Sequence, residues 1–207
     1  MALGCHLVRA TTWLEEAAVT CAALLLAPGH HRPPIRLSAV DVRPPWHSAP
    51  VRMTWADFWA LIATLNGEAT QANCRHLAAE LSRRSVSDII GFAERHAEAL
   101  YRLDQEKFGC LPVVDLTARF GSPFPQSADV FLYARCAVVA AGQAVWESVF
   151  FDAAKFAPYT SSEHDGEWLL YVPDMAYELA TGEEWNRSTR YCFESFSNRD
   201  GWPHLRD

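Results

Sequence analysis

The chain has 207 residues, enough for one domain with or without an appendage. Half of the residues are hydrophobic and 12% are aromatic, which supplies a sizeable core and argues against global disorder. The formal net charge of -7 argues against a general phosphate-backbone binder, which needs clustered Lys and Arg.

Residues 1–52 differ in composition from the rest. They carry a balance of +2 and six of the 12 prolines, whereas residues 53–207 carry -9. Thr12 and Glu15 read as a capping box opening a short helix through the apolar run Ala17 to Ala27. Glu15 and Glu16 stand where a secretion signal wants positive charge, and the run is too short to span a bilayer. The Pro/Arg-rich stretch 28–52 reads as an extended linker. Residues 1–52 either form an arm or precede the native start; in both cases the fold is expected to begin near Met53, giving a helical domain over 53–207.

Thr54 and Asp57 mark a helix start, and Trp55, Phe58, Trp59, Ile62 and Leu65 form its apolar face up to Asn66-Gly67. A second helix over about 70–83 carries Cys74, Leu77, Ala78 and Leu81 on one stripe. Ser85 and Asp88 cap a third, about 86–107, with Ile89, Phe92 or Ala93, His96, Leu100 and Leu103 inward. Glu94, Arg95, Glu98 and Arg102 are expected outward, and Gly109 closes the helix. His96 reads as a satisfied core-edge histidine. Residues 110–126 read as loop with one helical turn near Asp115 to Phe120.

Ser127 caps the next helix, about 127–141, with Asp129 in the first turn and Gly142 past its end. The helix is apolar on nearly all sides and should be central, yet it carries Arg135. A buried guanidinium must be paired or reach water. Asp129 lies on a different face, so a carboxylate from another helix is expected: Asp57, Asp88, Glu147, Asp174 or Glu178. A further helix over 143–156 is stopped by Pro158, and 167–180 is helical with Pro173 marking a start or kink. Residues 186–207 lack a period, but Tyr191, Phe193, Phe196 and Trp202 suggest a strap packed on the core. The expected fold is mainly α: a bundle of five or six helices with a non-regular C-terminal strap.

Motifs for nucleotide, zinc, calcium or nucleophile sites are absent. No cofactor and no metal are expected, since Cys5-His6 and Cys74-Arg75-His76 have no matching second half. The six cysteines are scattered without a CxxC, which suits free thiols in a reducing cytoplasm.

The run Ser127, Asp129, Phe131, Arg135 and Gly142, followed by an aromatic-rich helix ending Phe151-Asp152, resembles a bacterial family known as domain of unknown function 4240. WADFWALIATLNG and SVSDIIGF resemble its first and third helical blocks, so the resemblance covers roughly residues 53–180. In that family two consecutive aspartates commonly open the central helix; here Ala128 takes the first place. The resemblance implies a small, mainly helical cytoplasmic domain.

The expected function is a non-enzymatic protein-interaction or regulatory module, including an immunity-like inhibitor of a toxin, with another protein as partner and no membrane. The alternative is a small-molecule or anion site, or a cryptic enzyme, built from Arg135, Asp129, Asp174 and Glu178. Nucleic-acid binding through the N-terminal arm is the weakest reading.

Overall fold

The computed structural model describes residues 53–117, 121–163 and 166–205. The expectations for residues 1–52 lie outside the described residues.

Local side-chain caps start the first three helices. Thr54 accepts from the Asp57 amide at 3.1 Å and opens α1, Trp55–Ile62; a 3-10 turn, Ala63–Leu65, follows. Asn66 at φ 53° and Gly67 at φ 90° reverse the chain. Thr70 caps α2, Gln71–Leu81, and a reciprocal Ser85–Asp88 box caps α3, Val86–Leu103. A short helix, α4, spans Glu106–Gly109.

Over the described residues of 110–126, a strand pair takes the place of the expected loop with a helical turn; 118–120 lie outside the described residues. Pro112–Thr117 and Pro123–Pro125 form an antiparallel pair, β1 and β2, with Val113 opposite Phe124. Val113, Val114, Leu116 and Thr117 favour a pleated backbone, and the prolines sit at strand ends, where a missing donor is tolerated. The ladder is tied down by Asp115, which accepts from Ser161 Oγ at 2.8 Å and Ser162 N at 3.0 Å.

Ser127 caps α5, Ala128–Ala140, which is buried at almost every position from Phe131 onward. It packs against α3 and against the 3-10 segments Ala153–Thr160 and Gly166–Tyr171, so it is central. After Gly142 at φ 97° comes α6, Gln143–Phe151. It ends before the expected Pro158: Asp152 leaves helical geometry and accepts from the Ala154 amide at 3.1 Å, starting the 3-10 segment that contains Pro158. Helix α7, Val172–Thr181, has Pro173 in its first turn and ends at Gly182 in the left-handed conformation. It packs on α2 and α3. The chain then runs as an irregular strap, with short turns at Arg199–Gly201 and Pro203–Leu205.

Among the described residues, six α-helices have eight residues or more, and a two-stranded ladder is the sheet content. No helix among them is long and apolar enough to cross a membrane. Of the expected outward charges on α3, Glu98 is instead only 8% exposed, held between Arg95 at 2.9 Å and Arg102.

Candidate functional site

Arg135 is 0% exposed. Its Nη1 donates to the Leu100 carbonyl at 3.0 Å and its Nη2 to Ser195 Oγ at 2.9 Å, while Nε has no partner. The guanidinium lies 4.6 Å from the Phe131 ring centroid. Burial pushes its pKa down from the usual value; the negative field of Asp104 is the largest opposing influence.

The expected carboxylate partner is therefore replaced by neutral oxygens. Among the described residues no acid forms an ion pair with Arg135. Several candidates are occupied locally. Asp57 accepts from Thr54, Asp88 from Ser85, and Glu147 from Gln143. Asp174 and Glu178 are exposed on α7.

The acid that matters is Asp104, 0% exposed at the C-terminal end of α3. Its Oδ1 accepts from Phe196 N at 3.0 Å and Trp202 Nε1 at 2.8 Å; its Oδ2 accepts from Asn198 N at 2.8 Å and Ser197 Oγ at 3.3 Å. One carboxylate thus fixes the strap on the bundle. Phe196 adopts φ 71°, an unfavourable region for a bulky residue, held there by the Asp104 bond and by edge contact with Trp202. The sequence carried one signal for Asp104: an acid at a helix C-terminus opposes the helix dipole and needs a reason to be there.

The strap also builds a groove. Its residues 185–194 face α3 and the start of α7 across a cavity of about 540 Å3, with His96, Leu170, Pro173 and Asp174 on the bundle side. Trp185, Arg187 and Glu194 lie on the strap side. An adjoining cavity of about 820 Å3 shares Trp185 and Arg187 and adds Glu94, Tyr177, Glu183 and Glu184. Glu94 also accepts from the Arg190 amide at 3.1 Å, pinning the strap to α3.

His96 is 3% exposed, and its Nε2 is buried without a partner. The expectation of a satisfied histidine is thus corrected at this nitrogen, which no described donor or acceptor reaches. Burial lowers its pKa to about 4, so the ring is neutral at pH 7. Asp174, though partly open to solvent, has its carboxyl pKa raised by the flanking protein surface.

The four residues expected to form a site are not brought together. Arg135 is sealed under the strap, Asp129 is exposed in the first turn of α5, and Glu178 is exposed on α7. Of the four, Asp174 alone lines the grooves described above. Among the described residues no group of three potential metal ligands clusters.

A family model described as Protein of unknown function (DUF4240) matches residues 53–179. No curated protein and no solved structure matches. The matched segment includes His96, Asp104, Arg135 and Asp174, and stops before the strap that supplies Trp185, Arg187 and Ser195.

Proposed function

The chain belongs to this family over residues 53–179, and on that footing we propose that the protein is a non-catalytic interaction module that receives a basic segment of another protein in the groove between α3, α7 and the strap. One observation carries this reading. Among the described residues lining the two adjoining cavities, the carboxylates Glu94, Asp174, Glu183, Glu184 and Glu194 face a single cation, Arg187. Clefts lined by one sign of charge concentrate the opposite sign and speed its association. Trp185 stands between the two cavities and offers an apolar, cation-binding face.

Phosphate backbones would be repelled by the same surface, which disfavours nucleic acid. The burial of Arg135 under the strap supports this reading over an anion site there. An immunity-like inhibitor of a basic toxin belongs to this class. A reducing cytoplasm suits the four free cysteines among the described residues.

The test is fluorescence anisotropy with labelled peptides of graded Lys and Arg content. Binding should rise with peptide charge, weaken with salt, and drop in a Glu183→Gln/Glu184→Gln variant. Both glutamates are exposed, so the variant should keep wild-type stability. Equal binding by the variant, or no dependence on peptide charge, would refute the proposal.

A further inference from the structure

We infer that the exposed face of α6 is a two-fold contact between two copies of this chain, in which Phe151 of each copy enters an apolar cleft beside α6 of the other. This face shares no lining residue with the strap groove, and the inference stands apart from the interaction reading above.

Phe151 is 87% exposed, more than any other large apolar side chain among the described residues. One exposed apolar residue is ordinary, but Phe151 does not stand alone. It lies edge-on to Phe150 with centroids 5.9 Å apart, and Phe150 stacks on Trp146 at 5.4 Å. Trp146 in turn meets Trp59 at 5.9 Å. Phe151 is therefore the open end of an aromatic row that begins in the core. Aromatic rings are the usual anchors of protein contacts, because they bury a large area through few rotatable bonds.

The same helix also offers a place for the ring. A cleft of about 390 Å3 runs between α6 and the 3-10 segment that follows it. Val145, Val149, Pro158 and Tyr159 give it apolar walls, and Ala144 and Ser148 keep it open with small side chains.

Helical spacing then selects the symmetry. At about 100° per residue, Glu147 and Phe151 fall on one flank of α6 and Val145 and Val149 on the other, with Ala144 and Ser148 between them. A two-fold axis parallel to α6 brings unlike flanks together. Phe151 then meets the other copy's cleft, and the other copy's Phe151 meets this one.

The charges fit the same operation. Lys155 Nζ donates to Ser148 Oγ at 2.7 Å, which places its charge on the cleft flank, level with residue 148. Glu147 stands on the Phe151 flank at the neighbouring level, where it accepts from Gln143 at 2.8 Å. Among the described residues neither charge is in an ion pair. The two-fold sets each opposite its counterpart in the other copy. An antiparallel pairing of the two helices would instead bring Glu147 against Glu147. A foreign partner would have to supply both signs in this order, whereas a second copy already carries them.

Sedimentation velocity on the full chain, over a concentration series at fixed ionic strength, reads the association. Wild type should pass from monomer to dimer as concentration rises. Phe151→Ser should raise the dimer dissociation constant by about a hundredfold, since each two-fold contact loses two rings. Phe151 is exposed, so this variant should keep the wild-type unfolding midpoint. Glu147→Lys or Lys155→Glu alone should weaken the dimer about fivefold, and the two together should restore it. A merely sticky exposed ring would not give that rescue. The inference is overturned by a chain that stays monomeric to about 1 mM, by a dimer that survives Phe151→Ser, or by a double reversal no better than either single one.

Discussion

Replacing Asp104 with asparagine should release the strap. The substitution keeps the shape and one oxygen. Asparagine can hold Phe196 N and Trp202 Nε1 through Oδ1, but it then places an NH2 where Oδ2 meets the Asn198 amide at 2.8 Å. Two donors would face each other in a site that is 0% exposed. The flipped rotamer spares Asn198 and strands the two Oδ1 donors instead. The loss is one charge-assisted hydrogen bond and one buried donor left unmade, together about 3 kcal/mol after allowing for overlap. For a domain of this size that is a fall of roughly 6–12 °C in the unfolding midpoint. Asp104→Ala should cost more, since no acceptor remains. Urea denaturation gives the free energy, and hydrogen exchange should show lost protection at the amides of Phe196 and Asn198. A cost below about 1 kcal/mol, with strap protection unchanged, would refute the claim that Asp104 holds the strap.

Two further predictions concern buried groups. His96 has a folded pKa of about 4 against an ordinary 6.5, so between those values the unfolded chain holds a proton that the folded chain lacks. Stability is therefore full above about pH 6.5 and declines toward pH 4, by about 3 kcal/mol as an order of magnitude. Urea midpoints across that range should fall less steeply for His96→Phe than for wild type; parallel curves would contradict the neutral buried ring. Burial also pushes the thiols of Cys74 and Cys136 up to about 12, while Cys110 and Cys192 are exposed. Iodoacetamide on the native protein, mapped by mass spectrometry, should modify Cys110 and Cys192 and spare Cys74 and Cys136. Equal rates at all four would contradict the packing.

Helix starts were readable because their signals are short range. Thr54 with Asp57, Ser85 with Asp88, and Ser127 each meet an amide three residues on, and any such pair can be found by spacing alone. The strap's aromatic residues also marked it as packed: Trp202 sits edge-on to Phe131 with centroids 5.9 Å apart. What spacing could not reveal is a contact made over long separations. Asp104 meets residues 92 to 98 positions away, and the groove exists only once the strap has closed over α3. Three prolines concealed the ladder at 112–125, because proline reads as punctuation whether it ends a strand or interrupts a loop. His96 was legible as core by its position on α3, but a nitrogen's lack of a partner is a property of the assembled surround.

Arg135 shows how a buried cation can be held without an ion pair. The last turn of α3 leaves carbonyls that its own amides do not cap: Asp104 N bonds to Tyr101 rather than Leu100. Three carbonyl oxygens near this end of the helix are met by side chains from elsewhere in the chain. Trp146 Nε1 donates to Ala99 at 3.2 Å, Arg135 Nη1 to Leu100 at 3.0 Å, and Asn198 Nδ2 to Tyr101 at 3.1 Å. The end of a helix carries the equivalent of a partial negative charge, and here the Asp104 carboxylate strengthens it. The countercharge sought for Arg135 on neighbouring helix faces is thus supplied by the end of α3 itself. This also explains why Ser195 can approach with a neutral hydroxyl, which donates its own hydrogen bond to the Ala128 carbonyl at 2.7 Å. The cation joins α5, α3 and the strap at one point. Arg135 therefore belongs to the scaffold of the groove, and the proposed recognition would rest on the acids of the strap, α3 and α7.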